Sequence, residues 1–188
     1  MATFTAVYDA CVLYPAPLRD LLMQLAMADR FRARWTDAIH EEWTRNLLKT
    51  RPELAAELAR TRRLMDENVR DGLVVGYEGL IPGLVLPDPD DRHVLAAAIR
   101  CGAASIVTFN LRDFPASALA PYGIEAVHPD TFVADQVDLD EAAVCGAVKI
   151  VRARLKRPPM DVEEYLASLE RQGLSETVSR LREYAALI

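Results

Sequence analysis

Short apolar runs alternate with stretches of helical spacing along most of this chain, and helical spacing alone continues to its end. Phe4 to Tyr8 is a β-like run that stops at Asp9. Beyond Pro15 and Pro17, the residues Leu18, Leu21, Leu22, Leu25 and Ala28 recur at helical spacing. Pro17 suits a first helical turn, where the missing N–H has no partner to lose. RFRARWT reads as a short strand. Thr36 or Asp37 then caps a helix to about Lys49, Arg51-Pro52 breaks it, and a second helix runs to about Asp71-Gly72. Residues 73–87, rich in Gly, Val, Leu and Pro, read as a strand-like or irregular link. DPDDRHVLAAAIRCGA predicts a helix closed by Gly102, SIVTFN a strand, LRDFPASAL a turn into a short helix, and GIEAVHP a last strand. Such alternation predicts an α/β fold, three-layer α/β/α around a mostly parallel central sheet. From about Asp138 no strand pattern remains, and three helices separated by Pro158-Pro159 and Gly173 form a C-terminal extension. The expected division is 1–137 and 138–188.

Composition narrows the class. A hydrophobic share of 51% with 27% charged residues in 188 is globular. The apolar stretches are short and broken by charge, and the N-terminus lacks a basic region followed by an apolar one, so no membrane association and a cytoplasmic location are expected. Cys11, Cys101 and Cys145 are widely spaced and odd in number, which fits free thiols in a reducing compartment. Neither they nor His40, His93 and His128 have zinc-ligand spacing. The net charge of −6 does not exclude nucleic acid, because cations bound at an acidic site would offset part of it. Basic residues come in blocks, densest at Lys149, Arg152, Arg154, Lys156 and Arg157. Lys149, Arg152 and Lys156 would share a helix face, either simply solvated or a strip for backbone phosphates.

The candidate chemistry lies in four acidic stations: Asp9; Glu42; Asp88 with Asp91; and Asn110 with Asp113. Carboxylates leaving strand ends at the carboxyl edge of an open α/β sheet converge in one crevice. Like charges there push one another toward protonation, and a divalent cation removes that cost. The pattern reads as a Mg²⁺ or Mn²⁺ site acting on phosphate. Each station has a plainer reading. Asp9 is also a turn or cap residue, and Asp88 with Pro89 at the first helical position is a good helix start whatever Asp91 does. Asn110 also suits an Asx turn. Glu41 and Glu42 are separated by helix phase: with Ile39, Trp43 and Leu47 as the buried stripe, Glu42 lies about 100° from Trp43 and Glu41 about 160° away. Glu42 therefore borders the core and Glu41 points to solvent.

Taken together, Asp9-x-x-Val12-Leu13, Glu42-x-x-x-Asn46-Leu47, Asp91-x-x-Val94-Leu95-Ala96-Ala97 and Thr108-x-Asn110-x-x-Asp113-Phe114 resemble the PIN-domain ribonucleases, particularly VapC-type toxins of bacterial toxin–antitoxin pairs. The resemblance covers about residues 3–135. It implies an endoribonuclease using Mg²⁺ or Mn²⁺, with Asp9, Glu42 and Asp91 holding the ion or ions, Asn110 and Asp113 completing the shell, and Asp88 at its border. It also implies an RNA substrate, a cognate antitoxin and a homodimer. The family usually carries Asp where this chain has Asn110, and the appended helices exceed its compact members. A catalytically weak or inactive PIN-like module that binds RNA or protein is the alternative from another class, and a metal-dependent phosphatase of small esters a third. The aspartate pair of haloacid-dehalogenase phosphatases is missing, because Cys11 stands two residues after Asp9.

Overall fold

The computed structural model describes residues 4–156 and 158–188; Arg157 of the dense basic block lies outside them. In chain order the elements are β1 (Thr5–Tyr8), α1 (Ala10–Leu13), α2 (Ala16–Met27), β2 (Arg32–Arg34), α3 (Asp37–Thr50), α4 (Ala55–Asn68), α5 (Arg92–Cys101), β3 (Ser105–Val107), α6 (Ala116–Leu119), β4 (Glu125–Val127), α7 (Pro129–Leu139), α8 (Glu141–Arg154), α9 (Val162–Glu170) and α10 (Ser175–Arg182). They group into two compact units. One holds residues 1–14 and 31–128, the other residues 15–30 and 129–188.

The first unit is built on a four-stranded sheet of order β2-β1-β3-β4, and every pairing in it is parallel. Parallel strands covered on both faces are apolar throughout, and Ala6, Val7 and Tyr8 of the inner strand β1 are fully buried. Thr36 opens α3 by accepting the Ile39 N–H at 3.1 Å, as its spelling predicts. Gly102 closes α5 in the left-handed region at φ 63°, which glycine adopts without a Cβ penalty. The irregular link after α4 reaches the sheet edge through a parallel bridge of Leu73 with Trp35. Gly72 makes this possible, because a Cβ there would lie 2.7 Å from Cζ2 of the Trp35 indole.

The second unit is helical. α2 packs on α8 and α9, α7 packs on α8 and α10, and α9 on α10. Leu18, Leu21, Leu22 and Leu25 of α2 are buried, the stripe its spacing predicts. α10 has no side-chain cap of its own. Asp130 of α7 supplies one, accepting the Glu176 and Thr177 N–H groups at 2.9 and 2.8 Å.

Three details differ from expectation. The units do not follow a cut at 137/138: residues 129–139 form α7, whose Phe132, Val133 and Val137 are buried in the helical unit, and α2 joins that unit as well. A one-turn helix, α1, begins directly after Asp9. The basic strip is broken. α8 ends at Arg154, so Lys156 lies beyond it, and Arg152 is turned inward to the carbonyls of Met160 and Ile188, each at 3.2 Å. Lys149, Arg152 and Lys156 thus do not form one phosphate-facing row.

A carboxylate cluster at the carboxyl edge of the sheet

β1 leads on to β2 on one side of the sheet, and β3 leads on to β4 on the other. The strand order therefore reverses between β1 and β3, and the crevice outside their carboxyl ends is where an open α/β sheet binds its ligand. Asp9 stands at the end of β1. Its N–H makes the last rung to Val107 O at 3.1 Å. Asp9 is only 3% exposed. Such a group needs partners, and it has three. Oδ1 accepts the Ala10 N–H at 2.6 Å, so Asp9 is indeed the cap of α1. Oδ2 accepts the Thr108 hydroxyl at 2.7 Å and the Cys11 thiol at 3.1 Å. Both of these donors are oriented by backbone of the β3–α6 turn: Asn110 N–H donates to Thr108 Oγ1 at 2.9 Å and Phe109 N–H to Cys11 Sγ at 3.3 Å.

The other carboxylates gather around Asp91. It ends the 3-10 turn Pro89–Asp91 that Asp88 caps, with Asp88 Oδ1 accepting the Asp90 N–H at 2.9 Å. The Asp91 carboxyl is pushed up to about 7, first by burial and then by the charges of Asp9, Asp88, Asp113 and Glu42. Asp9 is also raised, by burial above all, with the Glu42 charge adding and its three donors opposing. Burial and the neighbouring Asp9 charge hold the Cys11 thiol protonated. Asp9, Glu42, Asp88, Asp91 and Asp113 thus share one electrostatic neighbourhood. Glu42 is half-buried and faces His93 of α5, Oε2 to Nε2 3.4 Å, while Glu41 is exposed. Asp113 N–H closes a turn on Asn110 O at 3.0 Å. The Asn110 side chain is exposed and makes no hydrogen bond among the described residues; the part of Asn110 that enters the cluster is its backbone N–H.

Behind Glu42, α3 is pinned by a buried relay. Trp43 Nε1–H donates to His40 Nδ1 at 3.1 Å, which leaves the His40 proton on Nε2, 3.1 Å from Asp66 Oδ1. Trp35 Nε1–H reaches the same oxygen at 2.8 Å. Burial lowers the His40 pKa, in keeping with a neutral ring.

Among the described residues no three His, Cys, Asp or Glu side chains already close on a point where they could hold an ion. The donor chemistry nonetheless fits a hard divalent cation: crowded carboxylate oxygens, with the Asp91 carboxyl pushed up by burial and then by its acidic neighbours. The motifs include the acids and Thr108, but nothing in their spacing marks Thr108 and Cys11 as donors to Asp9, or His93 as the neighbour of Glu42.

A switch-point crevice rimmed with carboxylates on a parallel sheet is the architecture of a PIN domain, and the PIN domain family matches residues 5–112. The chain belongs to that family. Residues 129–183 match a second family, the VapC50 C-terminal domain. A protein of Mycobacterium tuberculosis (strain ATCC 25618 / H37Rv) named "Putative ribonuclease VapC50" is 46% identical over 82 residues, 44% of this chain and 48% of that protein. The match therefore spans about half the length of the curated relative. No solved structure matches the chain. Among the described residues no helix is long and apolar enough to cross a membrane.

Proposed function

We propose that the chain is a Mg²⁺- or Mn²⁺-dependent endoribonuclease, the toxin of a toxin–antitoxin pair. The observation that carries this is the gathering of Asp9, Glu42, Asp88, Asp91 and Asp113 outside the carboxyl ends of β1 and β3, close enough for burial and their charges to push the Asp91 carboxyl up. A cluster held in that state is poised for positive charge. The PIN domain match, and the ribonuclease name of the relative, support phosphodiester bonds of RNA as the substrate.

Asp9, Glu42, Asp91 and Asp113 are the residues that would hold the cation, with Asp88 and Asn110 at the border of the shell. When bound, such a cation activates water and offsets charge on the phosphate under attack. The remaining work belongs to the chain. Ala10, Cys11 and Thr108 fix the Asp9 carboxylate in one orientation. The relay of Trp43, His40 and Asp66 keeps α3, and with it Glu42, in place. Asp91, pushed up by burial and its acidic neighbours, would become a charged ligand once a bound cation offset those charges. Arg45 and Lys49, exposed on the helix that carries Glu42, are candidates for contacts to the RNA backbone. The antitoxin, the homodimer and a cytoplasmic location belong to the same reading.

The test is cleavage of defined single-stranded RNAs with Mg²⁺ or Mn²⁺ and with EDTA, for the wild type, Asp9→Asn and Asp91→Asn. Cleavage is expected with either cation, to stop in EDTA, and to be lost in both variants although they fold. Undiminished cleavage in EDTA would sink the metal-dependent mechanism. Cation binding without cleavage of any RNA would favour the non-catalytic module.

A further inference from the structure

The donors on Asp9 have a consequence for which cation the crevice accepts. A carboxylate oxygen offers two lone pairs. Both of those on Asp9 Oδ2 are engaged by protein, one by the Thr108 hydroxyl at 2.7 Å and one by the Cys11 thiol at 3.1 Å. Oδ1 accepts one N–H, from Ala10, and keeps one lone pair free. Neither Oδ2 donor is free to turn away. Asn110 N–H occupies the Thr108 oxygen and Phe109 N–H occupies the Cys11 sulfur, so each passes its own hydrogen on to Asp9. The thiol also lies 3.4 Å from Thr108 Oγ1, but the carboxylate oxygen is the nearer and more strongly accepting partner.

We infer that Cys11 is a specificity-determining residue that makes Asp9 a one-lone-pair ligand and so biases the crevice toward small divalent cations over Ca²⁺. The inference rests on the divalent-metal reading of the same edge. Mg²⁺ demands near-octahedral geometry and few carboxylate contacts, whereas Ca²⁺ takes more oxygens and uses both oxygens of a carboxylate readily. An Asp9 whose Oδ2 is saturated suits the first and penalises the second. Serine at position 11 keeps a donor; alanine removes it and frees a lone pair on the buried oxygen.

The experiment is calorimetric titration of the full chain with Mg²⁺ and, separately, Ca²⁺, for the wild type, Cys11→Ser and Cys11→Ala, with thermal melts to confirm folding. The wild type and Cys11→Ser are expected to share one Mg²⁺/Ca²⁺ affinity ratio, and Cys11→Ala to move it toward Ca²⁺ by about fivefold, the size of one lost hydrogen bond. Thr108→Val, which removes the other Oδ2 donor, should move it the same way and serves if Cys11→Ala does not fold. A merely structural role for Cys11 would lower both affinities together and leave the ratio alone. An unchanged ratio in Cys11→Ala and Thr108→Val, or a Cys11→Ser shift as large as that of alanine, overturns the inference while leaving the metal reading standing. A wild type that binds neither cation overturns both.

Discussion

At the scale of single residues, Asp91 is the group whose ionisation reports on the crevice. Its folded pKa, about 7, lies above its ordinary 3.8, so between those values the folded chain holds a proton that the unfolded chain has released. Stability then falls as pH rises through that interval, which is opposite to the behaviour of a salt-bridged aspartate. Without divalent cations, melting temperature is expected to fall from about pH 4 to about pH 7 through this group. Asp91→Asn should flatten that fall, and saturating Mn²⁺ at neutral pH should raise the wild-type melting temperature but not that of the variant. Melting curves across pH in EDTA and in Mn²⁺ check this. A wild type that gains stability over the same interval, with Asp91→Asn unchanged from it, would mean that the carboxylates are too far apart to feel one another. That Asp9, Glu42, Asp88, Asp91 and Asp113 gather was legible in their spacing. That Thr108 and Cys11 donate to Asp9 was not. Thr108 reaches Asp9, and Phe109 reaches Cys11, across 99 and 98 residues, contacts set by the register of β1 on β3 rather than by any local pattern.

At the scale of elements, α3 shows what periodicity can and cannot decide. The stripe of Ile39 and Trp43 is fully buried, as the phase required, and Glu41 points to solvent. Leu47, placed on the same stripe, is only half-buried. His40, whose phase puts it beside Leu47 on the same face, is fully buried, and Asp66 and Trp43 satisfy both of its ring nitrogens. Glu42 sits between these faces, 3.4 Å from His93. Glu41→Gln is therefore expected to leave Mn²⁺ affinity and RNA cleavage within about twofold of the wild type, a surface change worth little. Glu42→Gln removes a charge from the crevice and should cost about tenfold or more in Mn²⁺ affinity, charge count being a main determinant of hard-cation binding. Parallel calorimetry and cleavage assays on the two variants decide it; indistinguishable results would take Glu42 out of the shell. The short helix α1 escaped notice for a different reason. Four residues between Asp9 and Tyr14 carry no periodicity, and the turn exists because Asp9 caps it.

At the scale of the whole molecule, the chain's order and its packing disagree. Residues 15–30 follow β1 in sequence, yet their contacts are with 129–188. Sequence reading cut the chain at the point where strand patterns stop, because a linear pattern carries no information about which apolar stripe meets which. The helical unit needs α2 for a physical reason. Leu18, Leu21 and Leu22 are fully buried and Leu25 nearly so, and α2 lies on α8 and α9. Burying such a side chain stabilises by about 1.5–3 kcal/mol, so the four together rival the whole net stability of a small domain. Residues 129–188 alone would keep the Asp130 cap on α10 and the Arg152 ties to Met160 and Ile188. They would nonetheless expose the surfaces of α8 and α9 that α2 covers. The expected outcome is a segment with helical circular dichroism but no cooperative thermal transition. Adding a peptide of residues 15–30 should restore the transition, while the same peptide with Leu18 and Leu22 changed to Ala should not. A sharp, peptide-independent transition of 129–188 would show that these helices are a self-sufficient appendage and that α2 merely rests on them.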